Sequence, residues 1–238
     1  MEVNQKIIFN KLKESNKKNL NLKIISIDGI TCSGKSVYAK LLKKIINKKY
    51  KNVFILSKDL FLISREKRIR VTKNLSKNFN FDQNQLHYDK TKINQFFKVA
   101  KQKKINKKIK FKNLYNRLNG KNDKKITFSF NNKTIIIFEG LYTLLDLKNI
   151  VPIHKILVTD TIYSSLARKI ERIRDKKISI QNVVTEFTKM HLTSFRRYLN
   201  KYNFDECYSG EKTKFTSDKM GKKKQIKLIN DFCKKHLF

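Results

Sequence analysis

One short segment of the sequence has the composition of a phosphate-binding loop. Residues 29–36 read Gly-Ile-Thr-Cys-Ser-Gly-Lys-Ser and match the full pattern G-x-x-x-x-G-K-[ST]. Its two glycines let the backbone curl so that successive N–H groups point at phosphate oxygens. We expect Lys35 to reach the β- and γ-phosphates and Ser36 to offer its hydroxyl to Mg²⁺. The segment therefore predicts a nucleoside triphosphate site made by Gly29, Ile30, Thr31, Cys32, Ser33, Gly34, Lys35 and Ser36.

Two carboxylates follow runs of apolar residues that are typical of buried strands. Asp59 comes after the run 53–56, and Glu139 comes directly after the run 134–138. A carboxylate in the position of Asp59 can accept the proton of an attacking hydroxyl or hold Mg²⁺ through water. Glu139 suits a metal role, and with the Ser36 hydroxyl the two acids would form a site of hard oxygen donors for Mg²⁺.

Three of the nine arginines lie close together at Arg168, Arg172 and Arg174, although lysine is far more common elsewhere. Arg168 and Arg172 are four residues apart and would share one face of a helix. Guanidinium groups bind phosphate oxygens through two parallel hydrogen bonds. We interpret the cluster as part of a lid over a transferring phosphoryl group, at about 168–182; a solvated basic helix face is the alternative.

The elements that must position these residues alternate between strand and helix. Strands are predicted at 22–28, 53–56, 134–138 and 155–158, and helices at 36–46, 91–100, 162–174, 180–200 and 222–236. The stretch 64–89 has no clear period, and the lysine-rich stretch 101–112 is predicted to be a solvated segment. This alternation predicts an α/β fold, a doubly wound and mainly parallel sheet with helices on both faces and a small lid. Such sheets bind ligands at the carboxyl ends of their strands.

Length and composition favour one domain in a reducing compartment. The 238 residues suit a domain at 22–238 with an N-terminal extension at 1–21. The net charge of +37 is spread over the whole length and is carried mainly by lysine, so we expect weak electrostatic RNA association rather than specific nucleic-acid binding. No apolar run approaches a membrane span, and the first residues lack the features of a secretory signal. The cysteines are widely spaced and fit a reducing cytoplasm: Cys32, Cys207 and Cys233.

Several further segments, taken in order, resemble the uridine–cytidine kinases of the phosphoribulokinase/uridine kinase family. The resemblance covers roughly residues 22–210. Besides the phosphate loop and the arginine cluster, the segments that carry it are Ser57-Lys58-Asp59-Leu60-Phe61, Asn80-Phe81-Asp82, Leu114-Tyr115, Ile137-Phe138-Glu139-Gly140-Leu141, Asp160-Thr161 and Asn203-Phe204-Asp205-Glu206-Cys207.

This resemblance implies a P-loop kinase that transfers the γ-phosphoryl group of ATP or GTP, with Mg²⁺, to the 5′-hydroxyl of uridine or cytidine. It implies that Asp59 is the catalytic base and that Asp82 and Tyr115 contact the nucleoside. Lys35 would act on the transferring group together with the lid residues Arg168, Arg172 and Arg174. The family precedent also suggests a homo-oligomer.

Three alternatives stay open. The histidine with which the family reads the base would fall five positions after Tyr115, at Gly120. The acceptor is therefore open to other hydroxyl metabolites, such as pantothenate or a sugar phosphate. A nucleic-acid-binding P-loop NTPase would use the positive charge instead. A non-catalytic relative is the third alternative, and the residues that argue against it are Lys35, Ser36, Asp59 and Glu139.

Overall fold

A computed structural model describes most of the chain, namely residues 5–18, 22–73, 85–102, 107–131, 133–147, 149–173, 179–211 and 214–237. The strands are β1 (Lys23–Asp28), β2 (Val53–Ser57), β3 (Lys107–Leu114), β4 (Lys124–Phe130), β5 (Ile135–Glu139), β6 (His154–Thr159), β7 (Glu206–Glu211) and β8 (Lys214–Ser217). The helices are α1 (Gln5–Lys17), α2 (Lys35–Ile46), α3 (Arg65–Lys73), α4 (Lys90–Ala100), α5 (Thr143–Asp146), α6 (Ile162–Glu171), α7 (Ile180–Glu186), α8 (Thr193–Lys201) and α9 (Gly221–Leu237). A π-helical turn, Phe187–Leu192, joins α7 to α8.

Six strands form one sheet in the order β2-β5-β1-β6-β7-β8. All neighbouring pairs are parallel except β7 with β8. The register places Ile27 of β1 and Ser57 of β2 on either side of Glu139, the last residue of β5. The carboxyl ends of these three strands therefore meet at one edge, where the loops after β1 and β2 begin.

The central strands are buried because helices cover both faces of the sheet. Alternate residues of a strand point to opposite faces. Ile135 and Ile137 of β5 pack in one apolar cluster with residues of α1 and α2. Ile136 and Phe138 pack in another cluster with α4 and the β3–β4 hairpin. Among the described residues, no helix combines the length and apolarity required to span a bilayer.

The predicted doubly wound α/β fold is confirmed, and the four predicted strands correspond to β1, β2, β5 and β6. The prediction of a solvated segment at 101–112 is wrong from Lys107 onward, because β3 begins there and pairs with β4 in an antiparallel hairpin. Its lysines alternate with Ile109 and Phe111, whose side chains pack toward α4. A helix, α3, also lies within the stretch 64–89, for which no regular element was predicted.

The N-terminal segment contributes to the core. Ile8 and Leu12 of α1 are buried in the same cluster as Leu42 of α2 and Ile27 of β1. The division of the chain into an extension at 1–21 and a domain at 22–238 stays a prediction.

Candidate active site

The phosphate loop, residues 29–36, connects β1 to α2. Gly29 can have no side chain, because a Cβ atom there would collide with the carbonyl oxygen of Val158 on β6. Cys32 and Gly34 have positive φ angles of 64° and 93°. Such backbone curls the loop over the N-terminus of α2, where unpaired N–H groups attract anions. The local sequence thus determines the loop through backbone geometry.

Lys35 lies inside the loop and is nearly buried, with 9% of its surface exposed. Its Nζ donates to the carbonyl oxygens of Gly29 at 3.0 Å and Ile30 at 2.6 Å. Burial lowers the pKa of Lys35, and the charges of Glu139 and Asp59 oppose that shift. The predicted phosphate-binding cation therefore shares its surroundings with both predicted acids.

Glu139 and Ser36 provide adjacent oxygen donors at the end of β5. Glu139 is buried, and burial raises the pKa of its carboxyl group. The hydroxyls of Ser57 and Ser36 hydrogen-bond to this carboxyl group, and the charge of Asp59 acts on it as well. Mg²⁺ prefers one or two carboxylates together with hydroxyl, water and substrate phosphate oxygens. This donor set fits the predicted metal role of Ser36, Glu139 and Asp59.

One predicted lid arginine touches the phosphate loop. The Arg168 Nε donates to the carbonyl oxygen of Cys32 at 2.9 Å, and its guanidinium group forms an ion pair with the buried Asp160 at the end of β6. The hydroxyl of Ser165 donates to the same Asp160 carboxylate at 2.8 Å. Arg172 lies exposed at the end of α6. Arg174 lies outside the described residues, as does the predicted substrate residue Asp82.

Three further segments are hydrogen-bonded to one another and form a surface that we call the acceptor wall, comprising residues 58–68, 85–89 and 115–122. Asp59 lies in the first of them, in a 3-10 turn directly after β2. Backbone hydrogen bonds join the segments, from Tyr115 N to Leu60 O at 2.8 Å and from Ile63 N to His87 O at 3.0 Å. The backbone of the predicted pocket tyrosine is thus bonded to the residue that follows the predicted base.

Tyr115 is paired with an arginine that the sequence did not suggest. The Arg68 guanidinium lies 4.7 Å from the centre of the Tyr115 ring and donates to its hydroxyl at 2.6 Å. Gly120 has a φ angle of 76°, and a Cβ atom there would lie 3.0 Å from the guanidinium carbon of Arg65. Arginine side chains of α3 therefore occupy the space beside the two positions where the resemblance predicted base recognition.

Two of the four histidines also lie at the site. His191, on the π-helical turn, shares a hydrogen bond of 3.1 Å with Glu186. Burial lowers the pKa of His191, and the charges of Lys169 and Lys35 act in the same direction. Burial likewise lowers the pKa of His87 to about 4, with contributions from Arg68 and His191. π-Helical turns are frequent at functional sites, but nothing in the sequence predicts one here. The one sequence feature that could have drawn attention to His87 and His191 is that the chain has only four histidines.

The segment 141–146 is hydrogen-bonded to the end of β1. The carboxylate of Asp28 is fully buried, and burial raises its pKa. It accepts hydrogen bonds from the backbone N–H of Thr143 at 2.9 Å, from the Thr143 hydroxyl, and from the Tyr198 hydroxyl at 3.0 Å. The strand that leads into the phosphate loop is therefore tied to this segment.

The same segment is also bonded to Lys58, the residue that follows β2. The Lys58 ammonium is fully buried and forms an ion pair of 2.7 Å with Asp146. It donates to the carbonyl oxygens of Leu141 at 2.8 Å and Tyr142 at 3.2 Å. Tyr142 has a positive φ angle of 60°. Lys58 thus fixes the start of the acceptor wall directly before Asp59.

Comparisons with known proteins agree with this architecture. The model of the phosphoribulokinase/uridine kinase family matches residues 24–205. A structure from Cryptococcus neoformans var. grubii, described as a D-glycerate 3-kinase, superposes with a TM-score of 0.57 at 10% identity over 90% of this chain and 98% of that one. A structure from Bacillus stearothermophilus, described as a "Possible Uridine Kinase", has a TM-score of 0.56 at 16% identity over 84% of this chain and 93% of that one. No curated protein sequence matches the chain. At these identities, the two structures show a shared fold.

Proposed function

Because the chain belongs to the phosphoribulokinase/uridine kinase family of P-loop kinases, we propose that it transfers the γ-phosphoryl group of ATP or GTP to a hydroxyl group of a small molecule. The observation that carries the proposal is the meeting of three strand ends at one edge of the sheet. Glu139 ends β5 between Ile27 of β1 and Ser57 of β2, so the loop that contains Lys35 and the turn that contains Asp59 both begin beside it. A phosphate-binding cation, a metal-binding carboxylate and a second acid are the groups that phosphoryl transfer requires.

On the donor side, the N–H groups of the phosphate loop and the Lys35 ammonium would hold the phosphates. Lys35 would exchange its bonds to the loop carbonyls for bonds to phosphate oxygens. Arg168 lies against the loop and would neutralise charge that develops on the transferring group. These groups act by position and charge, and none of them forms a covalent bond.

On the acceptor side, Asp59 would accept the proton of the attacking hydroxyl. Its place on a 3-10 turn that is bonded to the 115–122 segment fixes the carboxylate relative to the bound acceptor. Ser36, Glu139 and Asp59 would hold Mg²⁺. When bound, the ion neutralises phosphate charge and orients the phosphates.

Two classes of acceptor have specific support. Uridine and cytidine follow from the sequence resemblance, and the backbone hydrogen bond from Tyr115 N to Leu60 O supports a pocket shared by Tyr115 and Asp59. A hydroxyl metabolite that carries its own acidic group is the second class, and the Arg68 guanidinium on the acceptor wall favours it. The structural likeness to a protein described as a D-glycerate 3-kinase agrees with the second class.

The test is a transfer assay with purified protein, radiolabelled ATP, Mg²⁺ and a panel of nucleosides, hydroxy acids and sugar phosphates. We expect a phosphorylated product from at least one acceptor, and its loss when EDTA removes the metal. A folded protein that transfers phosphate to no acceptor would contradict the proposal. ATP hydrolysis that RNA stimulates, without transfer to any small molecule, would instead support the nucleic-acid-dependent NTPase.

A further inference from the structure

We propose that a cleft between α4 and the segment 145–150 binds a small organic phosphate ester, at a site separate from the phosphate loop. The cleft has a volume of about 520 Å³, which lies in the range of sites that hold small molecules. The proposal goes beyond the kinase function proposed above and does not depend on it.

The cleft lies along one face of α4. Lys90 and Lys98 line it from this helix, and Lys101 follows directly after the helix. The opposite wall is the segment 145–150, which belongs to the connection from β5 to β6. Among the described residues that line the cleft, Gln85 alone belongs to the acceptor wall, and none belongs to the phosphate loop. The cleft is therefore a second concave site beside the candidate active site.

The positive charge of the cleft is concentrated near the C-terminal end of α4. Lys98 and Lys101 are three residues apart, so their side chains are neighbours on the helix surface. Lys101 donates one of its three N–H bonds to the carbonyl oxygen of Asn149 on the opposite wall, at 2.7 Å. Helix α4 contains no acidic residue. The two ammonium groups thus form a place for one phosphate group.

A buried amide lies at the other end of the cleft. Gln85 is in the turn that precedes α4, and 2% of its surface is exposed. Its Oε1 accepts a hydrogen bond from the Lys58 ammonium at 3.3 Å, whereas its Nε2 has no hydrogen-bond partner among the described residues. A buried amide N–H without an acceptor is costly, and an oxygen of a ligand in the cleft would supply that acceptor. Asp146, the only carboxylate among the described lining residues, is ion-paired with Lys58 at 2.7 Å and leaves the cleft positive.

Apolar side chains complete the lining. They are Phe97 of α4 and, on the opposite wall, Leu145 and Ile150. From Lys90 to Lys98 the helix rises about 12 Å, which approximates the distance between the amide end and the phosphate end. A nucleoside monophosphate or a sugar phosphate has a matching order of groups, with a phosphate at one end, a ring in the middle and acceptor oxygens at the other end. We therefore expect an ester of this size to bind, and not the phosphate group alone.

Two variants remove the proposed contacts. Lys98→Ala/Lys101→Ala removes two exposed ammonium groups from the surface. Gln85→Glu keeps the size of the side chain and the oxygen that accepts from Lys58, but it replaces the Nε2 donor by an acceptor. The first variant tests the phosphate end of the cleft, and the second tests the amide end.

Two controls match these variants. Lys40→Ala/Lys44→Ala removes the same charge from exposed positions of α2 that do not line the cleft. Lys35→Ala removes the buried ammonium of the phosphate loop, so it distinguishes binding in the cleft from binding in the loop.

The experiment is a calorimetric titration of the full chain at about 0.15 M salt with AMP, UMP and glucose 6-phosphate, and with adenosine, uridine and glucose as the counterparts without phosphate. We expect at least one ester to bind, and its counterpart to bind at least about 10-fold more weakly. The Kd of that ester should rise about 20-fold in Lys98→Ala/Lys101→Ala and about 10-fold in Gln85→Glu. It should be unchanged in Lys40→Ala/Lys44→Ala and in Lys35→Ala.

Absence of binding by all three esters overturns the proposal. So does a Kd that rises in Lys35→Ala and not in Lys98→Ala/Lys101→Ala, because the ester would then bind in the phosphate loop. An equal rise in both double variants also overturns it, since that result shows only the general attraction of a chain with a net charge of +37. If Gln85→Glu does not fold, the surface variant Lys98→Ala/Lys101→Ala decides by itself. None of these titrations requires phosphoryl transfer, so failure of the kinase assay leaves their outcome unaffected.

Discussion

The phosphate loop and the acceptor wall are built in opposite ways. The loop is one unbroken segment of eight residues between β1 and α2. The wall joins three segments that are distant in the sequence, and backbone hydrogen bonds hold them together. The loop binds mainly through backbone N–H groups, so its geometry is determined by glycine and by positive φ angles. The wall would contact the proposed acceptor through side chains, which can change while the fold is conserved.

This difference explains why the loop sequence indicates the phosphoryl donor, whereas the wall sequence does not identify the acceptor. The loop indicates a triphosphate donor, and every P-loop kinase shares that donor chemistry. In the proposed function the wall would select the acceptor, and the side chains of Tyr115 and His87 belong to it. Experiments that measure ATP binding and phosphoryl transfer separately therefore test whether the loop and the acceptor wall have these different roles.

The largest effect should come from a pair of variants, one on each side. Asp59→Asn removes the predicted base, so we expect kcat to fall about 1,000-fold while the Kd of ATP, measured without Mg²⁺, stays unchanged. Lys35→Ala removes the buried ammonium of the loop and should weaken ATP binding as well as transfer. Steady-state kinetics and calorimetric ATP titrations measure the two quantities. Wild-type turnover in the Asp59→Asn variant would contradict the role of Asp59 as the base and the assignment of the acceptor wall to the site.

A smaller effect should follow when the anchor of Arg168 is removed. Asp160→Asn takes away the ionic partner that holds Arg168 against the loop, so we expect kcat to fall about 10-fold. The control is Ser165→Ala, which removes another hydrogen bond from the same carboxylate and should have little effect. In the Arg168→Ala background, Asp160→Asn should cause no further loss. A further loss in the double variant would show that Asp160 acts independently of Arg168.

The smallest effect concerns the pH dependence of stability on the acceptor wall. The folded pKa of His87 is about 4, below its ordinary value of 6.5, so the unfolded chain binds more protons between these values. The resulting stability is present above pH 6.5 and is lost as the pH falls toward 4. Solvent screens the partly exposed imidazole, so we expect about 1 kcal/mol between pH 7 and pH 5. Urea unfolding at both pH values should show this loss in the wild type and not in His87→Gln; equal losses would contradict it.

The sequence predicted the parts of the fold that local constraints determine. The phosphate loop was predictable because Gly29 and Gly34 meet steric demands that few sequences satisfy. The strands β1 and β5 were predictable because they are buried on both faces and have three isoleucines in six residues and four apolar residues in five, respectively. The hairpin of β3 and β4 was missed because its lysines outweighed the alternation of Ile109 and Phe111.

The acceptor wall was less predictable, because its members meet only through tertiary contacts. Tyr115 was proposed through the family resemblance and its backbone is bonded to Leu60, but its partner Arg68 was not foreseen. No periodicity links Arg68 on α3 to a tyrosine 47 positions later. The pair of Glu186 and His191 depends on a π-helical turn that sequence patterns do not encode. The roles of these residues stay predictions until the variants are measured.

Residues 141–146 determine the spacing between the two halves of the site. Asp28 binds this segment from the strand before the phosphate loop, and Lys58 binds it from the position before Asp59. A kinase needs its alcohol oxygen to approach phosphorus in line with the departing oxygen, and a displacement of about 1 Å can cost roughly 100-fold in rate. A substitution at Thr143 or Asp146 would therefore misalign two substrates that both still bind, although neither residue takes part in the reaction.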